Sequence, residues 1–427
     1  MEKILLKNIE ARNAASVDGY LSLGGYGALK KVLKELSQRD VIEAVKTSGL
    51  RGRGGAGFPT GLKWDFVPKD FTGPKYVVCN ADEGEPGTFK DRAIIEKDPH
   101  ALIEGIGIAC YAIGARSAFI YIRGEFARGF RVLEKAIAEA RGKGILGEKT
   151  FGSDFGFDIM VHRGAGAYIC GEETALLDSI EGRRGNPRLK PPFPATEGLY
   201  GKPTVINNVE TIACLPHIIL RGPSWFSSIG TEKNTGPKLF CLSGHVNRPG
   251  LYELPMGTRL REIVFENGGG TKKGRKLKAV IPGGSSTPVL DSTEADVQMD
   301  FESLAKVGSM LGSAGIIVMD DTTCMVRALH VISRFYHHES CGQCSPCREG
   351  TGWLERVTGR IEDGDGREGD IDLLLDISDN IKAKTVCPFG DAAILPVESF
   401  VTKFREEFEA HLKQRSCPFG ARFERTF

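Results

Sequence analysis

Between residues 75 and 180, apolar runs alternate with amphipathic stretches, and this alternation limits the fold more than any other feature of the sequence. The predicted strands are 75–80, 117–123 and 157–162, and the predicted helices are 99–113, 126–141, 172–180 and 208–220. Such alternation is typical of a mostly parallel sheet with helices on both faces. We therefore expect an α/β domain here.

The segments on either side differ in pattern. Residues up to about Gly49 read as an approach segment that ends in a helix with one buried face, formed by Val41, Ile42 and Val45. Residues 221–238 are rich in Gly, Ser, Thr and Pro and are predicted to be a linker.

The C-terminal half is predicted to form two further modules. Short strands at 239–246, 251–254, 278–281 and 315–319, with one helix at 260–266, indicate a small α+β module of the β-grasp (ubiquitin-like) kind. Helical patterns at 326–335, 371–381 and 398–412 indicate a C-terminal helical bundle. The predicted divisions are 1–48 (approach segment), 49–221 (α/β domain), 238–322 (β-grasp module) and 325–427 (helical domain).

Charge and hydropathy exclude several classes of protein. The 56 Lys and Arg residues nearly balance the 55 Asp and Glu residues, which disfavours a nucleic-acid partner and a polybasic membrane patch. The opening residues are too charged for a secretory signal, and the apolar run at 105–115 is too short to span a bilayer. We expect a soluble chain in the reducing cytoplasm, without direct membrane insertion.

Three cysteines form the strongest single motif. Cys341, Cys344 and Cys347 have the spacing C-x2-C-x2-C, which lets one loop bind three corners of a cubane iron–sulfur cluster. A [4Fe–4S] cluster needs a fourth thiolate, and both Cys387 and Cys417 are candidates. We favour Cys387 because it follows the helix nearest to the loop in sequence. A zinc site that also uses His337 or His338 is the alternative.

Six other cysteines lie singly in apolar segments and are predicted to be small buried hydrophobic residues. They are Cys79, Cys110, Cys170, Cys214, Cys241 and Cys324.

A glycine-dense loop follows the first predicted helix. Gly52, Gly54, Gly55 and Gly57 formally satisfy G-x-G-x-x-G, but the usual meaning of that motif requires a preceding strand. The backbone of such a loop can still close around a phosphate or lie flat against a ring. A flexible surface loop is the alternative.

Two polar segments follow predicted strands. Residues 80–87 contain three closely spaced carboxylates, and residues 164–174 lead into a helix whose first turn carries Glu172 and Glu173. Ligands usually bind at the carboxyl ends of strands in open α/β sheets. The alternatives are a solvated turn for the first segment and favourable glutamate placement at a helix N-terminus for the second.

Taken together, these segments resemble the NADH-oxidising flavoprotein subunit of bacterial complex I, the NADH:quinone oxidoreductase. The matching stretches are 49–64, 80–87, 164–182, 186–195, 207–211 and 339–350, spread over most of the chain. The resemblance implies a Rossmann-like FMN domain, a β-grasp module and a helical bundle with a [4Fe–4S] cluster. One local departure is Pro388-Phe389, where small or aliphatic residues would be expected.

The resemblance also implies ligands for particular residues. FMN would be bound by Gly52, Gly54, Gly55, Lys63, Asn80, Asp82, Glu83, Gly171, Glu172, Asn207, Asn208 and Thr211. NADH would be bound by Phe58, Phe66, Glu85, Tyr168, Glu173, Lys190 and Phe193. The cluster ligands would be Cys341, Cys344, Cys347 and Cys387.

The implied reaction is hydride transfer from NADH to FMN, followed by single-electron steps into the cluster, with no acid or base residue required. The implied partners are a small thioredoxin-like [2Fe–2S] subunit and a large multi-cluster iron–sulfur subunit. They would hold the chain at the cytoplasmic side of the inner membrane. The diaphorase subunit of an NAD-linked hydrogenase or formate dehydrogenase is one alternative, and a non-catalytic assembly subunit with a structural metal is another.

Overall fold

The computed structural model describes residues 2–11 and 13–420. The described chain divides into two compact units. The first comprises the chain up to Gly84, Thr88–Cys241 and Leu251–Thr258, and the second comprises Glu85–Gly87, Leu242–Gly250 and the chain from Arg259 onward.

A parallel four-stranded sheet forms the centre of the first unit. Its strands are β1 (Tyr76–Ala81), β2 (Ser117–Ile122), β3 (Asp158–Arg163) and β4 (Thr204–Asn208), in the order β3-β2-β1-β4. β1 is buried along most of its length and pairs in parallel with both β2 and β4. A parallel α/β core is therefore present, as the strand–helix alternation predicts.

Helices surround this sheet. They are α1 (Val17–Ser22), α2 (Gly27–Glu35), α3 (Gln38–Thr47), α4 (Thr60–Asp65), α5 (Lys90–Lys97), α6 (Pro99–Ile113), α7 (Ala127–Gly142), α8 (Glu173–Ile180), α9 (Val209–Ala213), α10 (Leu215–Arg221) and α11 (Pro223–Ser227). The predicted bounds of α6 agree with those observed, and α3 buries Val41, Ile42 and Val45 as predicted.

The N-terminal residues are part of the first unit's core. Tyr20 and Leu29 are buried in the same hydrophobic cluster as the strand residues. The carboxylate of Glu253 accepts hydrogen bonds from the backbone N–H groups of Ile4, Leu5 and Leu6, at 2.8 to 3.0 Å. The approach segment is thus fixed by its own backbone as well as by apolar burial.

Two expectations for the end of this unit were wrong. The predicted helix over 208–220 is two helices, α9 and α10, because Pro216 lacks the N–H that a continuous helix needs and instead lies in the first turn of α10. The predicted linker contains α11 and a short antiparallel pair, β5 (Gly230–Thr231) and β6 (Asn234–Thr235).

A second sheet has five strands in the order β10-β9-β11-β7-β8. Its strands are β7 (Pro237–Gly244), β8 (Gly250–Pro255), β9 (Leu277–Ile281), β10 (Leu290–Asp291) and β11 (Gly315–Asp320). β9 pairs antiparallel with both β10 and β11. The associated helices are α12 (Leu260–Glu262), which continues as a π-helical turn over Ile263–Asn267, and α13 (Phe301–Lys306).

The C-terminal part of the second unit is helical. Its helices are α14 (Met325–Glu339), α15 (Ser345–Glu362), α16 (Asp370–Ile381), α17 (Phe389–Lys403) and α18 (Arg405–Gln414). Leu329, Leu354 and Leu374 lie in one core with Ile281 of β9. The predicted helix over 398–412 was wrong, because the chain leaves helical geometry at Phe404, between α17 and α18.

Among the described residues, no helix combines the length and the apolar character required to cross a membrane.

Candidate functional site

Polar residues gather at the carboxyl ends of β1 and β4. Asn80 lies opposite Asn208 in the register of these parallel strands. The chain leaves β1 for β2 on one side and returns to β4 on the other, so the strand order reverses between β1 and β4. In open α/β sheets ligands bind at such a reversal. Asp82, Glu83 and Asn207, which are among the predicted FMN residues, lie at the same edge.

Asn80 joins this edge to the turn before α8. Its Nδ2 donates a 2.9 Å hydrogen bond to the carbonyl of Gly171, and its Oδ1 accepts a 3.0 Å bond from the backbone N–H of Asp82. A Cβ on Gly171 would lie 3.4 Å from the Asp82 carbonyl oxygen. The structure therefore brings three of the predicted flavin residues together.

The glycine loop closes on itself and approaches β4. The backbone N–H of Gly52 donates to the carbonyl of Phe58 at 2.9 Å. A Cβ on Gly54 would lie only 3.1 Å from Cβ of Asn208, so a larger residue would force the two segments apart. Gly55 has φ +141°, which L residues rarely adopt, and a Cβ there would meet open space.

Arg53 within this loop is almost fully buried. Its backbone N–H donates to Oγ1 of Thr211 at 2.8 Å, and its Nη2 donates to the carbonyl of Thr235 at 2.7 Å. Within the described part of the chain, its Nε and Nη1 have no hydrogen-bond partner. A buried cation with unused donors is costly unless an acceptor completes it. Arg53 is not among the FMN residues predicted from the sequence.

Two glutamates predicted to contact FMN accept hydrogen bonds from helix N-termini. Glu83 accepts from the backbone N–H groups of Asp91 and Arg92, at 2.8 and 3.1 Å. Burial, together with the nearby Asp91 carboxylate, raises the pKa of Glu83 to about 7. Glu172 is the N-cap of α8 and accepts from the N–H of Thr174 at 2.8 Å. Both carboxylates thus fix the position of a helix at this edge.

Lys63, Glu173 and Lys190 form a partly buried ion cluster. Lys190 Nζ lies 2.8 Å from Glu173 Oε1 and 3.0 Å from Glu172 Oε1, and Lys63 Nζ lies 3.5 Å from Glu173 Oε2. Burial tends to raise the pKa of Glu173, but the two lysines outweigh it and hold the pKa below its usual value. Four residues assigned separately to FMN and NADH therefore form one network.

The three phenylalanines predicted to bind NADH have partly exposed rings. Phe58, Phe66 and Phe193 are 42%, 51% and 57% exposed. The rings of Phe58 and Phe66 have centroids 6.1 Å apart, at an interplanar angle of 49°. The ring of Tyr168 lies against the backbone of Gly84, because a Cβ added at Gly84 would be 3.1 Å from Cδ2 of Tyr168. Exposed rings beside polar groups are suited to stacking on a nucleotide base.

The side chains of Asn207 and Asn208, at the end of β4, form hydrogen bonds with other residues of the first unit. Asn207 Oδ1 accepts from Nε1 of Trp64 at 2.9 Å. Asn208 caps α9 by accepting from the N–H of Glu210 at 3.0 Å, and its Nδ2 donates to Asp91 at 2.6 Å. These side chains position the edge of the sheet.

A buried charge cluster that was not predicted from the sequence lies behind this edge. Lys90 Nζ is 2.7 Å from Asp91 and 3.1 Å from Glu210, and Lys238 Nζ is 2.6 Å from Glu210. Burial lowers the pKa of Lys238 to about 8. Lysine, aspartate and glutamate side chains are normally exposed, so the sequence contains no signal for this burial.

Glu85, which was predicted to contact NADH, belongs to the second unit. Its Oε1 accepts a 2.7 Å hydrogen bond from the backbone N–H of Ser286. Gly284 must be glycine here, because a Cβ would lie 2.4 Å from Cγ of Glu85.

The donors of the first unit fit a flat, anionic, hydroxyl-bearing group such as FMN. Arg53 supplies unused buried donors, Gly55 supplies open backbone, and Lys63 supplies a further cation. The carboxylate and amide side chains of Asp82 and Asn80 are hydrogen-bonding groups suited to a ribityl chain.

The cysteine run lies at the start of α15. Cys344 is the N-cap of this helix, Cys347 lies in its first turn, and Cys341 precedes both in the same loop. The backbone N–H of Val386 donates to Sγ of Cys344 at 3.3 Å, which places the adjacent Cys387 beside the loop. Four thiolates from one loop and one neighbouring segment suit a [4Fe–4S] cluster.

The other candidate for the fourth ligand has different neighbours. Sγ of Cys417 lies within 4.8 Å of ligand atoms of Cys324, Glu362 and His411. Cys324 is buried in the apolar core as predicted, and its Sγ also contacts Glu362 and His411. The five other single cysteines are buried.

The histidines of the zinc alternative have their own environments. His337 Nδ1 contacts the carboxylate of Glu355, and the side chain of His338 is 84% exposed. These contacts give that alternative no support. At the local departure Pro388-Phe389, the ring of Phe389 is buried edge-on against Tyr336, with centroids 5.5 Å apart.

Three protein-family models match the chain. The Nuo51 FMN-binding domain matches residues 45–217, the SLBB domain matches residues 238–318, and the NADH-ubiquinone oxidoreductase-F iron-sulfur binding region matches residues 327–411. The first contains the glycine loop and the polar sheet edge, and the third contains the cysteine run.

Similarity to curated proteins extends over the whole chain. The F subunit (number 2) of the NADH-quinone oxidoreductase of Rhizobium meliloti (strain 1021) is 57% identical over 98% of this chain and 99% of its own length. The chain belongs to the family of NADH-quinone oxidoreductase F subunits. The corresponding F subunit of Mycobacterium tuberculosis (strain ATCC 25618 / H37Rv) is 56% identical over 93% of this chain and 90% of its own.

Solved structures of NAD+-reducing [NiFe]-hydrogenase resemble this chain. The air-oxidised and H2-reduced forms match with TM-scores of 0.82 and 0.83, at 35% identity over 96% of this chain. The chain spans 66% and 67% of the length of those hydrogenase chains.

These matches confirm the central predictions. The chain is the NADH-dehydrogenase subunit through which electrons enter, with FMN and a [4Fe–4S] cluster as its cofactors and NAD(H) as its substrate. It is one part of an enzyme that contains other subunits.

Proposed function

We propose that this chain oxidises NADH as the electron-input subunit of an NADH:quinone oxidoreductase. One observation carries the proposal: a single chain has a polar ligand-binding edge with buried unused donors at Arg53 and a cysteine loop joined to the Cys387 segment. When bound, FMN accepts a hydride from NADH and passes single electrons to the [4Fe–4S] cluster, since a cluster accepts one electron at a time.

The residues of this chain bind and orient the reactants. Gly52, Gly54 and Gly55 keep this part of the loop free of side chains: Gly54 lets the loop approach Asn208, and Gly55 leaves open space for the flavin. Arg53 and Lys63 balance the negative charge of FMN. Asn80 and the carboxylates of Asp82, Glu83 and Glu172 line the sheet edge. Asn207, Asn208 and Thr211 hold the edge and loop in place, and Gly171 lets the turn before α8 approach closely.

The nucleotide would lie against exposed aromatic rings. Phe58, Phe66 and Phe193 offer faces to the adenine, while Tyr168, Glu173 and Lys190 contact its polar groups. These residues would orient the nucleotide towards the flavin and exclude water, and no proton donor would be required because the bound flavin would accept a hydride.

The finer architecture and the assembly are part of this proposal. We assign a Rossmann-like fold to residues 49–221, a β-grasp fold to 238–322 and the cluster bundle to 325–427, with 1–48 as an approach segment. Cys341, Cys344, Cys347 and Cys387 bind the cluster. The partners are a small thioredoxin-like [2Fe–2S] subunit and a large multi-cluster subunit, at the cytoplasmic side of the inner membrane.

The test is an anaerobic NADH titration of the iron-loaded, FMN-loaded chain, followed by absorbance and EPR. NADH should bleach the flavin bands in the blue and then produce the signal of a reduced cluster. Cys387→Ala is the matched control, which should keep the bleaching and lose the cluster signal. A colourless chain after reconstitution, or flavin that NADH does not bleach, contradicts the proposal.

The diaphorase role is favoured by a separate observation, the 35% identity to NAD+-reducing [NiFe]-hydrogenase. Affinity purification from the native cell distinguishes the two. Recovery of hydrogenase or formate dehydrogenase subunits supports the diaphorase role, and recovery of quinone-reductase subunits supports the role proposed above.

A further inference from the structure

Four potential metal ligands converge at one end of the helical part of the second unit. They are Cys324 at the N-cap of α14, Glu362 at the end of α15, His411 in α18 and Cys417 just after α18. One ligand atom from each residue lies within 4.8 Å of the other three. Cys324, Glu362 and His411 are buried, and Cys417 is partly buried.

The distances within this group suit a single tetrahedral ion. Sγ of Cys324 lies 3.4 Å from Oε2 of Glu362 and 3.4 Å from Nε2 of His411. Nε2 of His411 lies 3.4 Å from the same glutamate oxygen. Zinc bonds of about 2.0–2.3 Å in a tetrahedron imply distances of about 3.3–3.8 Å between neighbouring ligand atoms. The three 3.4 Å distances between ligand atoms of Cys324, Glu362 and His411 agree with that geometry.

The histidine is oriented as a ligand. Its Nδ1 lies 2.7 Å from the backbone carbonyl of Glu407, which can only accept a hydrogen bond. Nδ1 therefore carries the proton, and the lone pair of a neutral ring is on Nε2, which is the atom that faces the other three groups. Metal-bound histidines commonly have this arrangement.

Arg327 supplies the surrounding charge. Its Nε donates to Oε1 of Glu362 at 2.7 Å, and its Nη2 lies 3.5 Å from Sγ of Cys417. Its backbone N–H also donates to Sγ of Cys324 at 3.3 Å. Two thiolates and one carboxylate carry three negative charges, which a divalent cation and one guanidinium would balance.

The donor set indicates which metal would bind. Two sulfurs, one imidazole nitrogen and one carboxylate oxygen are the ligand types that zinc accepts, and four protein ligands leave no open position for a substrate. Iron–sulfur clusters are held mainly by cysteines, so this mixed set does not suit a second cluster.

We propose that Cys324, Glu362, His411 and Cys417 form a structural zinc site that joins the ends of α14, α15 and α18. The site is separate from the FMN and iron–sulfur residues and does not depend on the function proposed above. Its role is to fix the C-terminal helix and the residues after it to the rest of the helical bundle.

Metal analysis of the iron-loaded, FMN-containing protein tests the proposal. We expect about one zinc and about four irons per chain. X-ray absorption at the zinc edge should show two sulfur and two nitrogen or oxygen neighbours at about 2.0–2.3 Å. Four sulfur neighbours would mean that zinc had entered the cysteine loop instead, which overturns the proposal.

Variants separate this site from general folding defects. Cys417→Ser and His411→Gln should each lower zinc content more than about ten-fold, while iron, flavin absorbance and the cluster EPR signal are retained. Cys110→Ser, at a buried cysteine in α6, is the control and should keep its zinc. Arg327→Gln should weaken zinc binding about 10- to 100-fold in competition with a chelator.

Three results would overturn the proposal. One is zinc-free wild-type protein after anaerobic incubation with a slight excess of Zn²⁺, the second is a disulfide between Cys324 and Cys417 in its place, and the third is full zinc content in Cys417→Ser. Because the absorption measurement uses wild-type protein, it remains decisive even when a variant does not fold.

Discussion

The backbone N–H of Arg53 donates a 2.8 Å hydrogen bond to the buried hydroxyl of Thr211. The two residues are 158 positions apart in the chain. Arg53 lies in the glycine loop, and Thr211 lies in α9, directly after β4. This bond fastens the loop to the sheet edge that we assign to FMN.

Replacing Thr211 with valine should therefore weaken flavin binding. The change keeps the shape of the side chain but leaves the N–H of Arg53 without its acceptor, at a cost of about 1–1.5 kcal/mol. We expect the dissociation constant for FMN to rise about ten-fold. Flavin fluorescence titration of the FMN-depleted chain measures it.

Thr60→Val is the matched control for that experiment. Thr60 is also buried and lies near the loop, but its hydroxyl has no hydrogen-bond partner among the described residues. Its replacement should leave FMN affinity unchanged. Equal weakening in both variants would show that valine disturbs packing and that the Thr211 bond is not responsible.

Phe193→Ala should raise the KM for NADH several-fold and leave the flavin content unchanged. The ring is 57% exposed and has surface available for stacking on adenine. Base–aromatic stacking is worth about 1–3 kcal/mol. Ferricyanide reduction gives the KM. Leu189→Ala, which removes a 72% exposed side chain from the same loop, should leave the KM unaltered. Loss of FMN from Phe193→Ala would refute the assignment.

Cys387→Ala should abolish the EPR signal of the reduced cluster, whereas Cys417→Ala should retain it. Cys387 follows Val386, whose N–H contacts Sγ of Cys344, but Cys417 lies with Cys324 and His411. The spectra of dithionite-reduced protein compare them directly. A normal signal in Cys387→Ala would place the fourth ligand elsewhere.

The carboxyl group of Asp98 should make stability depend on pH. The residue is 3% exposed, and its carboxylate accepts a hydrogen bond from Asn8, but burial raises its pKa to about 7. Between about pH 4 and pH 7, the folded chain keeps a proton that the unfolded chain releases, so stability falls as pH rises, by at most about 1.4 kcal/mol per pH unit.

Asp98→Asn removes this titration and checks the sign. The thermal unfolding midpoint of the variant, relative to that of the wild type, should increase from about pH 5 to about pH 8. Parallel midpoints over this range would show that Asp98 is ionised in the folded chain.

The regular elements of the first unit could be predicted from sequence because their apolar periodicity is strong. α6 matches its expected bounds, and β1, β2 and β3 lie within a residue of theirs. Helix breaks were harder to predict. The end of α17 at Phe404 has no glycine or proline to mark it, so only tertiary packing determines that position.

The site was partly predictable for a different reason. Cys341, Cys344 and Cys347 are close in sequence, so their chemistry is visible in their spacing. The fold alone brings together the buried charges of Arg53, Lys90 and Glu210, and it likewise brings Cys324, Glu362 and Cys417 to His411. The residues next to each of them in the sequence do not indicate that these side chains are buried.

The attachment of Glu253 to the N–H groups of residues 4–6 has a consequence for how the protein is made. The first strands can pair while translation continues, because domains tend to form from the N-terminus onward. The N–H groups of residues 4–6, however, cannot form their hydrogen bonds to Glu253 until residue 253 has been synthesised. A fragment that ends at residue 241 would lack Glu253 and its hydrogen bonds to the N-terminal segment. A fragment that contains the whole first unit must therefore extend to Thr258.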